Sequence, residues 1–416
     1  MQNKVNNILV SKVLTYELLM VIGICFITYK VNMFAQPIYP SRFDIIKMDW
    51  QALLIIIILC GGIFTLGKNN HTIGDWLYRH LYIIYFTPVL FVSTYINSSL
   101  GLTVSLWMSV FFYILVFRLF VPILWLPSIS NTALMTILLF CSFISTIILI
   151  INMPPSYNSI FSFSSETILD LRLASRENST NIFLGYIYSF VAKIAVPFFI
   201  AYSVYKKNPL YIGLSLFLAL SIFLIAGHRS VIGAALLCLF IAFFVRHDIK
   251  IIYKFALLGI FFVIVLFYID SNLLAYPKML IRRILLLPAY FPMEYQEAFG
   301  LMGVLGEKTD TYGLSNAFYV GYMIHGEIGA RANAGSITTY IPFFGFLGPT
   351  FGTLLLAFFL SQFKSSRLNI NEKSFIRNVF FPILPTTLWV LLDSNFFTAL
   401  LSQSLFLLYI FFRLAK

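Results

Sequence analysis

The sequence predicts an all-α polytopic membrane protein with about 12 transmembrane helices, in a range of about 11 to 13. Of the 416 residues, 60% are apolar or aromatic and only 11% are charged, whereas a soluble domain carries about a quarter charged residues. Aromatic residues reach 18%, led by 45 Phe and 24 Tyr, which suits many positions facing lipid and the membrane interface. Apolar runs of spanning length follow one another along the chain. An ordinary soluble enzyme is therefore excluded.

Each predicted helix is an apolar run close to the length of about 20 residues that crosses a bilayer. The runs cover residues 13–33, 50–67, 80–97, 100–120, 131–153, 182–204, 209–226, 230–245, 255–270, 337–360, 377–394 and 396–413. The first exceeds a signal-peptide core and lacks a small-residue cleavage site, so we expect it to be retained. Runs 230–245 and 255–270 are short and the turn at 394–396 is very tight, which sets the range in helix count. Residues 1–416 are predicted to form a single integral membrane domain.

The orientation follows from the basic residues. The 28 Lys and Arg exceed the 16 Asp and Glu, giving a net charge of +12. They stand singly or in pairs between apolar runs rather than on one basic face, so nucleic acid is not a predicted partner. With the N-terminus inside, sixteen of them, including Arg79, fall in cytoplasmic segments. The short segments on the opposite side carry only Lys30, Arg42, Lys47 and Arg229, so the positive-inside rule predicts that both termini are cytoplasmic.

Metal and nucleotide chemistry have no support in the sequence. The four Cys lie in apolar runs without a C-x-x-C pair, and the five His show neither H-x-x-x-H nor H-E-x-x-H spacing, so neither a disulfide framework nor a zinc site is predicted. No D-x-D pair occurs that could hold a metal-bridged nucleotide sugar. The segment "GVLGEKT" at 303–309 is similar to a phosphate loop, but Glu307 intrudes and no strand precedes it. We therefore predict no metal and no cofactor.

Two long loops on the predicted outer side, 154–181 and 271–336, are where function is expected. Eight Gly between 300 and 335 indicate irregular backbone in the second loop, whereas "KMLIRRILLLP" at 278–288 favours an interfacial helix. Most acidic residues also fall on this side, interleaved with Tyr. Such a face suits a carbohydrate site with an anionic leaving group, although long loops are also polar for general reasons.

Six arginines on the predicted outer side come from three separate segments that a helix bundle can bring around one cavity. They are Arg172, Arg176, Arg229, Arg282, Arg283 and Arg331. The planar guanidinium matches two phosphate oxygens and stays charged, so this set suits the pyrophosphate of a lipid carrier. The alternative is that each Arg pairs with a nearby acid, as Arg172 could with Asp170, or extends to lipid headgroups.

Four segments carry a resemblance to a known family. They are "ETILDLRLASRENST" at 166–180, "LIAGHRSVIGAALL" at 224–237, "IRRILLLPAYFPMEYQEAFG" at 281–300 and "ARANAGSITTYIPFFGFLGPTFGTLL" at 330–355. In this order they resemble segments of bacterial O-antigen polymerases, which are related to O-antigen ligases. Asp170 and Arg172 match in the first segment, and Arg229 takes the arginine position of the second, with His228 where Ser is usual. The flanks of the chain agree only in hydropathy.

The resemblance implies a GT-C-like helical enzyme in the bacterial inner membrane, with its active site facing the periplasm. It implies metal-independent, inverting glycosyl transfer, with undecaprenyl-pyrophosphate-linked oligosaccharide as both donor and acceptor. Membrane lipids and a polysaccharide chain-length regulator are the further partners implied. The predicted substrate site extends from the arginines to Tyr295 and Asn333, which lie in the last two matching segments.

The general base is the least defined part of the predicted site. The related ligases have the motif "HN" at the end of the large loop. At the corresponding place this chain reads Arg331, Ala332 and Asn333, so the resemblance does not assign the base. His325 and Glu327 in "HGEIG" are the nearest titratable candidates, and Asp170 is a third.

Two other functions remain open at this point. A ligase would use the same arginines, but the missing "HN" argues against it. A lipid-linked oligosaccharide flippase would also be basic inside a large bundle, but flippases tend to have short loops and internal repeats. Glu17, Lys193 and Asp393 lie in or at the ends of spans, where an ionisable group is usually functional or paired.

Overall fold

The structure is a computed structural model, and it describes most of the chain outside the long loops. The described residues are 2–34, 50–66, 73–95, 100–120, 126–127, 129–153, 182–226, 228–247, 249–269, 281, 285–303, 316–326, 332, 335–363 and 375–415. At Arg229, His325 and Asp393 it describes the backbone and not the side chain.

The described residues form helices joined by turns. In chain order the α-helices are α1 (Gln2–Phe34), α2 (Trp50–Thr65), α3 (Ile73–Leu81), α4 (Thr87–Tyr95), α5 (Leu100–Leu119), α6 (Asn131–Asn152), α7 (Ile182–Phe190), α8 (Val196–Lys206), α9 (Pro209–Ala226), α10 (Arg229–His247), α11 (Ile249–Ile269), α12 (Leu287–Phe299), α13 (Asn316–His325), α14 (Ile341–Phe344), α15 (Gly348–Ser361), α16 (Leu384–Asp393), α17 (Phe396–Leu400) and α18 (Leu405–Leu414). Within these described ranges there is no strand, only an isolated parallel bridge between Ile129 and Ala415.

Within the described ranges, three π-helical segments of five residues each interrupt this pattern. They span Tyr82–Phe86 between α3 and α4, Val191–Ala195 between α7 and α8, and Ile376–Phe380 shortly before α16. A π turn bonds each N–H to a carbonyl five residues back and holds one residue more than the α-helical turn it replaces. The first two therefore join their neighbouring α-helices into continuous helical rods of 73–95 and 182–206.

Among the residues that the structure describes, five helices are long and apolar enough to cross a membrane, judged by length and composition alone. They are Val13–Lys30, Asn131–Asn152, Phe183–Lys206, Ile251–Ile269 and Thr338–Ser361. Shorter apolar helices of 10–17 residues occur at Trp50–Thr65, Leu100–Val116, Pro209–Ile225, Ser230–Val245, Asn378–Leu392 and Leu405–Leu414. The predicted all-α membrane class is thus confirmed over the described part of the chain, whereas twelve spans and a GT-C arrangement stay predictions.

Two element boundaries differ from the sequence prediction. The run predicted at 80–97 begins earlier, at Ile73, so Arg79 lies within a helix rather than before it. The run predicted at 396–413 is broken by a turn at 401–404, where Ser404 adopts a left-handed conformation with φ of 65°. The first difference arises because the helix continues through a polar stretch, and the second because the backbone turns inside an apolar run.

The chain separates into two compact units. The first comprises Met1–Pro122, Tyr253–Lys364 and Leu391–Phe396. Its core includes α5 and α15, which pack on one another. There the Ser109 and Thr350 hydroxyl oxygens lie 3.3 Å apart, and the Ser105 hydroxyl donates to the Phe346 carbonyl. Small and hydroxyl-bearing residues let membrane helices approach closely and bond across their interface.

The second unit comprises Ile123–Ile252, Ser365–Val390 and Phe397–Lys416. Helix α8 packs against α9 and α10, and the Cys238 thiol donates to the Pro197 carbonyl at 3.2 Å. The ring of Phe380 lies edge-on to those of Phe198 and Phe412, with centroids 5.2 and 5.6 Å away. These three buried rings thus pack together in the core of the second unit.

Candidate functional site

The part of the candidate site that belongs to the predicted large loop lies in the first unit, where that loop ends. Helix α12 forms one side of this part. Pro288 stands in the first turn of the helix, and Gly300, with a φ of 74°, ends it. The helix is buried on nearly all sides, including the polar Glu294 and Gln296 at 4% and 7% exposed. A helix buried all round belongs to a protein interior and not to a solvated loop.

Tyr295 on α12 reaches the backbone of the loop end. Its side chain is 2% exposed, and its hydroxyl donates to the Ala332 carbonyl at 3.0 Å. The N–H of Ala332 donates to the carbonyl of Ala317, in the first turn of α13, at 2.9 Å. Both backbone polar groups of Ala332 are thus hydrogen-bonded, and the residue is held between two helices.

A second attachment follows at Gly335 and Ser336. The N–H of Ser336 donates to the Leu391 carbonyl at 3.1 Å, and its hydroxyl lies 3.0 Å from that carbonyl and 3.1 Å from the carbonyl of Ser394. A Cβ on Gly335 would lie 2.6 Å from the Leu392 carbonyl oxygen. Only glycine permits this close approach of two backbones.

The structure places few of the predicted site residues. Arg331 and Asn333 are the covalent neighbours of the fixed Ala332, but they lie outside the described residues. The same is true of Asp170, Arg172, Arg176, Arg282, Arg283 and Glu327. His325 is the last residue of α13, and its backbone alone is described.

Tyr295 is the one predicted site residue whose side chain the structure describes. Its hydroxyl is directed at the Ala332 carbonyl. Contact of Tyr295 with a sugar therefore stays a prediction, whereas its contact with the loop backbone is seen. Sequence reasoning could select this tyrosine from the resemblance, but not the atom that it binds 37 positions along the chain.

In the second unit, Arg229 is the first residue of α10. The N-terminus of a helix presents unbonded N–H groups and a partial positive charge, which favour an anion. The adjacent His228 is exposed, and its ring lies 6.0 Å from that of Tyr188 on α7. Lys193 lies in the π-helical turn after α7 and is half-buried.

Glu17 has a partner that the sequence analysis did not identify. Its carboxylate forms an ion pair with the Arg79 guanidinium, and the two residues are 0% and 3% exposed. Beside them the ring of His80 stacks on that of Trp76 at 3.7 Å, and its Nδ1 lies 2.9 Å from the Trp76 carbonyl. The sequence signal was present, because a carboxylate inside a span needs a partner.

Comparison of the chain with protein-family models, with curated proteins and with solved structures finds no match. Among the residues that the structure describes, no three His, Cys, Asp or Glu side chains come together as a metal site would require. Function is therefore inferred from the residues of this chain alone.

Proposed function

We propose that this protein is an O-antigen polymerase, which joins undecaprenyl-pyrophosphate-linked oligosaccharide repeat units at the periplasmic face of the inner membrane. The proposal is supported by the four resembling segments, which occur in family order between about 170 and 355. The observation that carries the proposal is the hydrogen bonding of the last resembling segment, 330–355, to neighbouring helices. Hydrogen bonds from Tyr295 and to Ala317 hold Ala332, whose covalent neighbours are Arg331 and Asn333. The backbone between two residues that the resemblance assigns to the substrate site is thus held in place.

The reaction needs the protein to accept a proton and to stabilise a leaving charge. A hydroxyl of the acceptor attacks the anomeric carbon of the donor, the bond from that carbon to the pyrophosphate breaks, and undecaprenyl pyrophosphate leaves with its negative charge. The hydroxyl proton passes to a base, for which His325, Glu327 and Asp170 are the candidates. The departing charge needs fixed positive groups, which the outer arginines would supply.

Arg229 is assigned to the pyrophosphate. It stands at the first position of α10, so its charge adds to that of the helix N-terminus. Arg331 and Asn333, on either side of the fixed Ala332, are assigned to the sugar and the leaving group, with Arg172, Arg176, Arg282 and Arg283 as further phosphate contacts. Chemistry of this kind proceeds by charge stabilisation and proton transfer with no cofactor.

Deletion of the gene tests the reaction class. In a host that makes the matching repeat unit, the deletion strain should carry lipopolysaccharide with a single repeat, and the wild-type gene should restore the ladder of longer chains on a gel. Loss of every repeat would contradict a polymerase and favour a ligase or a flippase instead.

Variants of Arg229 test the assignment to pyrophosphate. Arg229→Lys keeps the charge but removes the planar fork, and a charge-assisted bidentate contact is worth roughly 1.5–3 kcal/mol. Polymerisation should therefore fall by about one to two orders of magnitude, and Arg229→Ala should be worse. Full-length polymer from Arg229→Ala at normal protein levels would exclude this role.

A further inference from the structure

We propose that Tyr295 is a positioning residue, whose hydroxyl fixes the backbone of Ala332, the residue that stands between Arg331 and Asn333 in the sequence. The consequence for catalysis rests on the proposed polymerase function, whereas the fixing of the backbone does not. The proposal differs from a direct sugar contact, in which the hydroxyl would be free for a ligand.

The first step of the argument is the bonding of Ala332. Its carbonyl accepts from Tyr295 at 3.0 Å and its N–H donates to Ala317 at 2.9 Å. The two bonds hold the two backbone polar groups of Ala332, one on each side of its Cα atom. Removal of the Tyr295 hydroxyl would free the carbonyl side while leaving the N–H side bonded.

The second step is the environment of the bond. Tyr295 is 2% exposed and Ala332 is 1% exposed, so water does not compete for the carbonyl. In such surroundings a hydrogen bond is stronger than in water, and an unmade one is costly. The ring of Tyr295 also lies 5.9 Å from that of Phe299 on the same helix, which limits the positions that the hydroxyl can take.

The third step is the second attachment of the same segment. Gly335 and Ser336 are held against Leu391 and Ser394. The two described attachments, at Ala332 and at Gly335 with Ser336, therefore flank Asn333 in the sequence. Tyr295 supplies the side-chain hydroxyl at one anchor, and Ser336 supplies that at the other.

Tyr340 offers a matched control. It lies in the same unit and is 8% exposed, and its hydroxyl has no hydrogen-bond partner among the described residues. Tyr340→Phe and Tyr295→Phe remove the same atom from two buried rings. Only Tyr295→Phe removes a hydrogen bond to the Ala332 carbonyl.

The first experiment measures how accessible the segment is to a chemical reagent, and it does not rely on enzymatic activity. The four native cysteines are replaced by serine, Asn333→Cys is introduced as a reporter, and the rate of reaction with a maleimide is measured in permeabilised membranes. Tyr295→Phe should raise that rate by at least about threefold, whereas Tyr340→Phe should leave it unchanged. Equal rates in the Tyr295→Phe and parent proteins, or an equal rise with Tyr340→Phe, would overturn the proposal. Arg331→Cys serves as a second reporter with the same expectation.

The second experiment measures polymerisation by purified protein at several donor concentrations. Loss of one hydrogen bond that positions reacting groups should lower kcat by about five- to tenfold and change KM for the donor little. A rise in KM with kcat unchanged would indicate a sugar contact and overturn the positioning role. If the deletion strain does not show single-repeat lipopolysaccharide, the polymerase function fails while the maleimide result still decides the structural role.

Discussion

Two polar regions of the first unit are equally dry but are held by different forces. Glu17 and Arg79 join α1 to α3 through opposite charges, and they are 0% and 3% exposed. The segment around Ala332 and Ser336 is held by neutral hydrogen bonds to backbone carbonyls and by a glycine contact. The ion pair joins two helices, whereas the neutral bonds hold a stretch of backbone against its neighbours.

The surroundings of the ion pair sharpen this contrast. Glu17 Oε1 has no hydrogen-bond partner within the described part of the chain. The ring of Tyr253 on α11 lies 5.5 Å from that of His80 and 6.3 Å from that of Tyr16 on α1. The charges are thus enclosed by aromatic rings of three helices. Loss of either charge therefore leaves the other without compensation in a site of low polarity.

The largest expected effect is the loss of one member of the ion pair. Glu17→Leu or Arg79→Met alone should lower the free energy of unfolding by about 3–5 kcal/mol, because a buried charge is left unpaired. Thermal unfolding in detergent, followed by size-exclusion chromatography, measures this loss. The double variant should recover most of it, since a packed apolar pair replaces both charges. A double variant as unstable as the sum of the two single variants would show that the pair itself does not matter.

The next effect concerns the glycine contact of the second region. The added methyl of Gly335→Ala would meet the Leu392 carbonyl oxygen at 2.6 Å and its carbon at 3.2 Å. Because these are backbone atoms, we expect a loss near the upper end of the about 1–3 kcal/mol typical of overpacking. Gly259→Ala on α11 is the control, since its methyl meets nothing within 4 Å. Equal thermal stability of the two variants would rule out a close contact at Gly335.

The smallest effect is that of a single hydroxyl. Ser336→Ala removes the side-chain bond to Leu391 and Ser394 but keeps the backbone bond, so we expect a loss of about 1 kcal/mol. Thr353→Val is the matched control: Thr353 is 0% exposed, and its hydroxyl has no partner among the described residues. This control should be neutral or slightly stabilising in the same thermal assay. A larger loss in Thr353→Val than in Ser336→Ala would contradict the assigned hydrogen bonds.

Hydropathy predicted the simple helices closely. The run at 131–153 is α6, and its start is marked by the Ser130 hydroxyl, which accepts from the Ala133 N–H at 3.2 Å. The run at 209–226 coincides with α9. Such helices depend on a continuous apolar run and a local cap, and both can be read from neighbouring residues.

The buried polar contacts were harder to predict because they join distant residues. Glu17 was expected to be functional or paired, and it is paired, but its partner Arg79 was assigned to a cytoplasmic segment. The fastening of Ala332 depends on residues 15 and 37 positions away, and no spacing in the sequence indicates it. The prediction of the arginine site rests on the resemblance and on the placement of charges along the chain. Neither of these gives distances between side chains.

The π-helical turn at Val191–Ala195 has a consequence for the length of the chain. Because this turn holds one extra residue, deletion of Lys193 would restore an ordinary turn and leave the buried face of α8 in its present direction. Helix α9 contains no such extra residue. A deletion of one residue inside it would therefore rotate the following part of the helix by about 100°. Related chains one residue shorter are therefore expected to have lost that residue from this turn, so that their length varies without any change in how their helices face each other.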